Sequence, residues 1–198
     1  MNRTRFKELI LQSLEHERGG VQVYRTALKC ALNEDLRKEW SEYLEQTRRH
    51  VQIMEDVCRK LEIDPEEPTP GRRIVHDLGA SLVVAMEAAQ AAGDPSGAQV
   101  TACECVVLAE TKDHSDWELL GRCAESLTGR EHDVLMAAYD EVEDQEDEHL
   151  YHTKGWCREL WLDSLDLEAV LPPPEERKHV TTAIGAALAQ KESDVTRT

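Results

Sequence analysis

Apolar residues return at alternating steps of three and four along four stretches of this chain, the spacing that lines one face of an α-helix packed among other helices. The first stripe reads Ile10, Leu14, Glu17, Val21, Tyr24, Leu28, Ala31, and the second Leu36, Trp40, Tyr43, Thr47, His50, Met54, Val57, Leu61. The third reads Cys103, Val107, Glu110, His114, Trp117, Gly121, Ala124, and the fourth Leu135, Tyr139, Val142, Glu146, His149, Thr153, Trp156, Leu160. Strict apolar–polar alternation, the mark of a half-buried strand, is missing. The pattern predicts an all-α protein with long helices over 4–32, 34–61, 95–127 and 130–162.

The breaks between stripes agree. DPEEPTPG (64–71) ends the second helix, because proline donates no backbone hydrogen bond and disfavours helix just before it. Asp94-Pro95 reads as an N-cap and first helical residue. Between these breaks, IVHDLGASLVVAMEAAQ (74–90) predicts an extra, unusually apolar helix laid against the others. The link over 62–94 is long enough to cross a bundle, which a short turn is not. PPP (172–174) introduces a last short helix over 175–190. The expected organisation is a helical bundle over 1–163 and a C-terminal extension over 164–198.

Each stripe is apolar at its ends and polar in its middle, which a plain core does not explain. Two carboxylates about 4 Å apart repel by about 4 kcal/mol at an effective dielectric near 20, before any desolvation cost. Buried carboxylates without partners take up protons instead of staying charged. A divalent cation resolves the conflict, because it binds carboxylate oxygen and neutral imidazole directly. The acidic run EDQEDEHLYH (143–152) divides on this basis. Glu143, Asp144, Asp147 and Glu148 fall off the stripe and read as solvated surface, whereas Glu146 and His149 fall on it, three apart, and converge on one inner spot. Glu17, His50, Glu110 and His114 are the matching polar positions in the middle of the other three stripes. His16 and His152 sit beside the stripes and read as surface or ligand-orienting residues.

Composition narrows the partners. With 40 Asp and Glu against 23 Lys and Arg, the formal net charge is -17, which repels phosphate backbones and anionic membranes and leaves cations as the natural counterpart. No run of apolar residues is long enough to span a bilayer, and the start MNRTRFKELI lacks the apolar core of a signal peptide. The expected setting is cytoplasmic. Six cysteines are scattered without a C-x-x-C pair and read as reduced structural thiols.

Through these residues the chain resembles the ferritin-like superfamily of carboxylate-bridged di-metal proteins. That family takes one Glu from each of two helices and a Glu-x-x-His from each of the other two. Glu146-Asp-Glu-His149 matches the second kind, and Glu17 and Glu110 match the first. Each of these glutamates is followed seven residues later by an aromatic, in ERGGVQVY (17–24) and ETKDHSDW (110–117), a spacing similar to that of rubrerythrin-like members. EQTRRHVQIMEDVCRKL (45–61) and the apolar 74–90 helix resemble the YciE/YciF-like bacterial stress proteins.

The resemblance covers 4–162 and implies a ferritin-like four-helix bundle with an extra helix in its long crossover. It also implies iron or manganese, one or two ions, and redox chemistry with dioxygen or peroxide in stress protection. One position departs from the pattern. Where the second helix should read Glu-x-x-His it reads Thr47-Arg-Arg-His50, which leaves an altered two-metal site, a single ion completed by His114, or a degenerate site all open. In the last case the chain is a non-enzymatic stress or interaction protein. A homodimer is expected, with the 74–90 helix and the Ala-rich tail as self-association surfaces.

Overall fold

The computed structural model describes residues 1–196, which form seven helices and no strand. They are α1 (Arg3–Cys30), α2 (Glu34–Lys60), α3 (Pro70–Ala91), α4 (Pro95–Glu125), α5 (Arg130–Ser164), α6 (Pro174–Arg177) and α7 (Ala183–Thr196). The last two residues of the expected 164–198 extension lie outside the described residues. Among the described residues, no helix is long and apolar enough to cross a membrane.

Local chemistry sets the helix starts. Asn2, Asn33, Thr69 and Asp94 each accept a backbone N–H of the first turn of α1, α2, α3 and α4, a contact worth about 1 kcal/mol per cap. Proline stands at the start of α3 and α4, where no donor is needed. Gln99 of α4 accepts from the Leu32 and Asn33 N–H groups at 2.7 and 2.8 Å and so ties the α1–α2 turn to α4.

α1 packs on α2, α2 on α5, α5 on α4 and α4 on α1, so the four long helices close a ring of pairwise contacts. Two apolar clusters fill it. One gathers Tyr24, Trp40, Cys103 and Trp156, and the other Ile10, Leu14, Met54, Trp117 and Leu135. Glu17, Thr47, His50, Glu110, Asp113, Glu146 and His149 are all buried, and none of them belongs to either cluster.

α3 lies against α1 and α4, as the sequence reading expects, crossing α1 where Gly79 meets Gly19 and burying Arg72, Val75 and Met86; two other details differ. Ile74, Leu78 and Val84 stay exposed, because the ring has no opening left for an inserted helix. In α4 the buried face is turned from the expected stripe: Val106 and Asp113 are buried, whereas Val107 and His114 are half-buried. The tail helix is split, because His179 takes a positive φ of 49° and the chain resumes helix only at Ala183. The tail still docks, through Arg158–Glu175 contacts at 2.8 and 3.0 Å and through buried Val180 and Ala189.

Candidate metal centre

One ligand atom from each of Glu17, His50 and Glu146 lies within 4.8 Å of the other two, and the same holds for Glu110, Glu146 and His149. The two triads share Glu146. Each of the four long helices contributes, and all five side chains are at most 3 % exposed.

The histidines are oriented from behind. His50 Nε2 lies 2.9 Å from Gln145 Oε1, and His149 Nε2 lies 2.6 Å from Gln46 Oε1. An amide oxygen only accepts, so each Nε2 carries a hydrogen and each Nδ1 is the nitrogen turned toward the carboxylates, the one a cation would take once it is free of a proton. His50 Nδ1 is 2.9 Å from Glu146 Oε1 and 3.7 Å from Glu17 Oε1. His149 Nδ1 is 3.5 Å from Glu110 Oε2 and 3.6 Å from Glu146 Oε1. Glu17 is steadied in turn by Trp117, whose Nε1–H donates to Oε1 at 2.7 Å.

These contacts leave a surplus of acceptors. Glu17 Oε2, Glu110 Oε2, both oxygens of Glu146, His50 Nδ1 and Asp113 Oδ1 are buried without a hydrogen-bond partner. Such groups normally cost about 1–3 kcal/mol each, and a carboxylate more. The charges are correspondingly unsettled. Burial pushes Glu110 up to about 8, against the pull of the Tyr24 hydroxyl. Burial also raises Glu146, which His50 and His149 oppose. It raises Asp113 well above the carboxylate range, with Glu146, Glu17 and Glu110 adding to the rise. For His50, burial works downward but the Glu17 and Glu146 carboxylates outweigh it, so the ring is held well above its ordinary value. His149 goes the other way, lowered by burial to about 4.

Of the sequence candidates, Glu17, His50, Glu110, Glu146 and His149 come together, and His114 does not. His114 is half-buried outside the triads, with Nε2 2.7 Å from Asp147 Oδ1. The pair lines a cleft of about 300 Å³ between α4 and α5 that reaches Glu146 past Trp117 and Tyr139. Thr47 is buried beside the triads, but its hydroxyl donates back to the Tyr43 carbonyl at 2.8 Å. His16 bonds the Ala109 carbonyl at 3.0 Å and ties α1 to α4. His152 is buried instead of lying on the surface. The thiols stand apart from the triads: the six cysteines are free, and burial raises Cys58, Cys105 and Cys157 to about 11.

Sequence reasoning missed Gln46, Gln145 and Asp113. The glutamines carry a signal, because QTRRH (46–50) and QEDEH (145–149) repeat a Gln-x-x-x-His spacing. Asp113 stands three residues after Glu110, the same step that separates Glu146 from His149.

Comparison with protein-family models, curated proteins and solved structures finds no match to this chain.

Proposed function

We propose that the chain is a ferritin-like four-helix bundle whose core binds two divalent cations, iron or manganese, for redox chemistry with dioxygen or peroxide in protection against stress. The observation that carries this reading is the pair of ligand triads overlapping at Glu146. Glu17 and His50 would hold one cation and Glu110 and His149 the other, with Glu146 common to both triads. The unpartnered buried oxygens and the two Nδ1 atoms are the donor set that hard or borderline divalent ions take, and the thiols lie outside it. Asp113, buried with a free Oδ1, supplies from α4 the carboxylate that Thr47 withholds on α2.

Bound iron or manganese supplies electron transfer to dioxygen or peroxide, and the chain's own residues set the conditions. Gln46 and Gln145 fix the tautomer of both rings. Trp117 holds one Glu17 oxygen and leaves the other for the cation. Glu110 and Asp113 hold protons while the site lacks a cation and release them when one arrives. The apolar clusters exclude bulk water from either end, and the cleft beside His114 admits a small oxidant to Glu146. The proposed assembly is a homodimer through the face of α3 that leaves Ile74, Leu78 and Val84 exposed.

A second reading is favoured by Thr47, whose hydroxyl is turned back on its own helix. On that reading the site is degenerate, and the chain is a non-enzymatic stress or interaction protein. Elemental analysis after aerobic loading with iron or manganese, beside the Glu146→Ala, His149→Ala variant, separates the outcomes. About two ions more in the parent than in the variant, together with peroxide consumption, support the redox reading. No ions lost with Glu146 and His149, or ions held there without turnover, contradict the redox reading and leave the second standing.

A further inference from the structure

A second cluster of carboxylates and imidazoles lines a cleft of about 170 Å³ shared by α2, α5 and the tail, where Glu39, Glu148, His152 and Glu176 are joined by Asp35, Glu42 and the exposed His179. Glu39 is 7 % exposed and His152 1 % exposed, and Glu39 Oε1, His152 Nε2 and Glu176 Oε2 have no hydrogen-bond partner. His152 Nδ1 stands 3.6 Å from Glu39 Oε1 and 3.9 Å from Glu148 Oε1. Glu39 is aimed by Trp156, whose Nε1–H donates to Oε2 at 2.6 Å and leaves Oε1 free for the cleft. Lys38, which also lines the cleft, is 80 % exposed and nearest Glu42 at 3.9 Å, so it does not neutralise the buried carboxylates. Burying Glu39 beside the one buried imidazole, His152, with further carboxylates at the mouth and no cation, is costly.

We propose that this corner is a second divalent-cation site, in which Glu39, His152 and Glu176 hold a manganous or ferrous ion and Glu148 closes its mouth. Three carboxylates and one imidazole suit those ions better than thiolate-seeking ones. The site is assembled only when the tail docks. Glu176 belongs to α6, whose neighbouring Glu175 is clamped to α5 by Arg158. Tyr43 stands between this corner and the buried centre. Its hydroxyl, unpartnered and buried, lines the cleft, and its ring packs on His149 with centroids 4.1 Å apart. The tail is therefore a structural part of a cation site one layer outside the centre.

The test is equilibrium dialysis of the full chain against Mn²⁺, with circular dichroism as a fold control. The Glu146→Ala, His149→Ala chain should retain about one ion, and adding Glu39→Gln and Glu176→Gln should remove it. Glu176→Gln alone, an isosteric change at a half-buried position, should weaken that ion at least about tenfold with the circular dichroism unchanged. A helical Glu146→Ala, His149→Ala chain without Mn²⁺, or one whose ion survives Glu39→Gln with Glu176→Gln, overturns the proposal. Failure of the buried centre looks different: parent and Glu146→Ala, His149→Ala chains would then hold the same single ion.

Discussion

α2 and α5 face each other with the same framework and different ligands. Gln46-Thr47-Arg48-Arg49-His50 stands opposite Gln145-Glu146-Asp147-Glu148-His149, and each glutamine reaches the histidine of the other helix. The orienting contacts are therefore repeated, while the carboxylate is present on one side only. One layer out the two glutamates also differ: the Trp117 indole N–H donates to Glu17, whereas the Tyr24 hydroxyl faces Glu110. The imbalance shows in the rings. His50, near Glu17 and Glu146, is held well above its ordinary value, and His149 is lowered to about 4. A paired framework thus fixes where donors point, and the carboxylates decide how charge is shared between the halves.

Removing the shared carboxylate should have the largest effect. Glu146→Ala should cost both cation positions at least about a thousandfold in affinity, about 4 kcal/mol, while Glu17→Ala and Glu110→Ala each spare one, as Mn²⁺ dialysis would show. Next come the glutamines. Gln145→Ala should weaken the ion on His50, and Gln46→Ala the ion on His149, each about 10- to 100-fold, with the far ion unaffected in a competitive titration.

Restoring the repeat sharpens the contrast. Thr47 Cγ2 lies only 3.2 Å from where a Cβ on Gly20 would sit, so the helices are close there. Thr47→Glu should therefore destabilise the metal-free chain by about 1–3 kcal/mol through overpacking, and tighten cation binding. Urea melts with and without Mn²⁺ would read both effects.

The smallest effect is on pH dependence. Glu110, raised to about 8, and His50, held above its usual value, keep protons in the folded chain that the unfolded chain has already lost. Between pH 6.5 and 8 the folded state thus binds more protons, and metal-free stability should fall with rising pH by about 1–2 kcal/mol. His149 and His16, both lowered to about 4, act in the opposite sense, but below pH 6.5. Urea midpoints across that window should show the fall, a shallower slope in Glu110→Gln, and a reversed slope with saturating Mn²⁺.

The long helices were legible because their stripes repeat over many turns, and Glu17, His50, Glu110, Glu146 and His149 were legible as polar interruptions of those stripes. Asp113 was not, because α4 touches α1, α3 and α5 and so buries a wider arc than one stripe describes. On that wider arc Asp113 turns inward and its neighbour His114 outward. Glu39 and Glu176 escaped for another reason: only docking of α6 on α5 brings Glu176 to the cleft that Glu39 lines, and no local spacing announces such a meeting of distant segments.

The central claim is that one carboxylate joins two cation positions. Electron paramagnetic resonance of the Mn²⁺-loaded Glu39→Gln, Glu176→Gln chain tests it most directly, because the outer corner is then removed. Two ions bridged by Glu146 should give the closely spaced hyperfine pattern of an exchange-coupled pair, absent in Glu146→Ala. Bound Mn²⁺ showing only the spectrum of isolated ions, or no bound Mn²⁺ at all, would contradict the account.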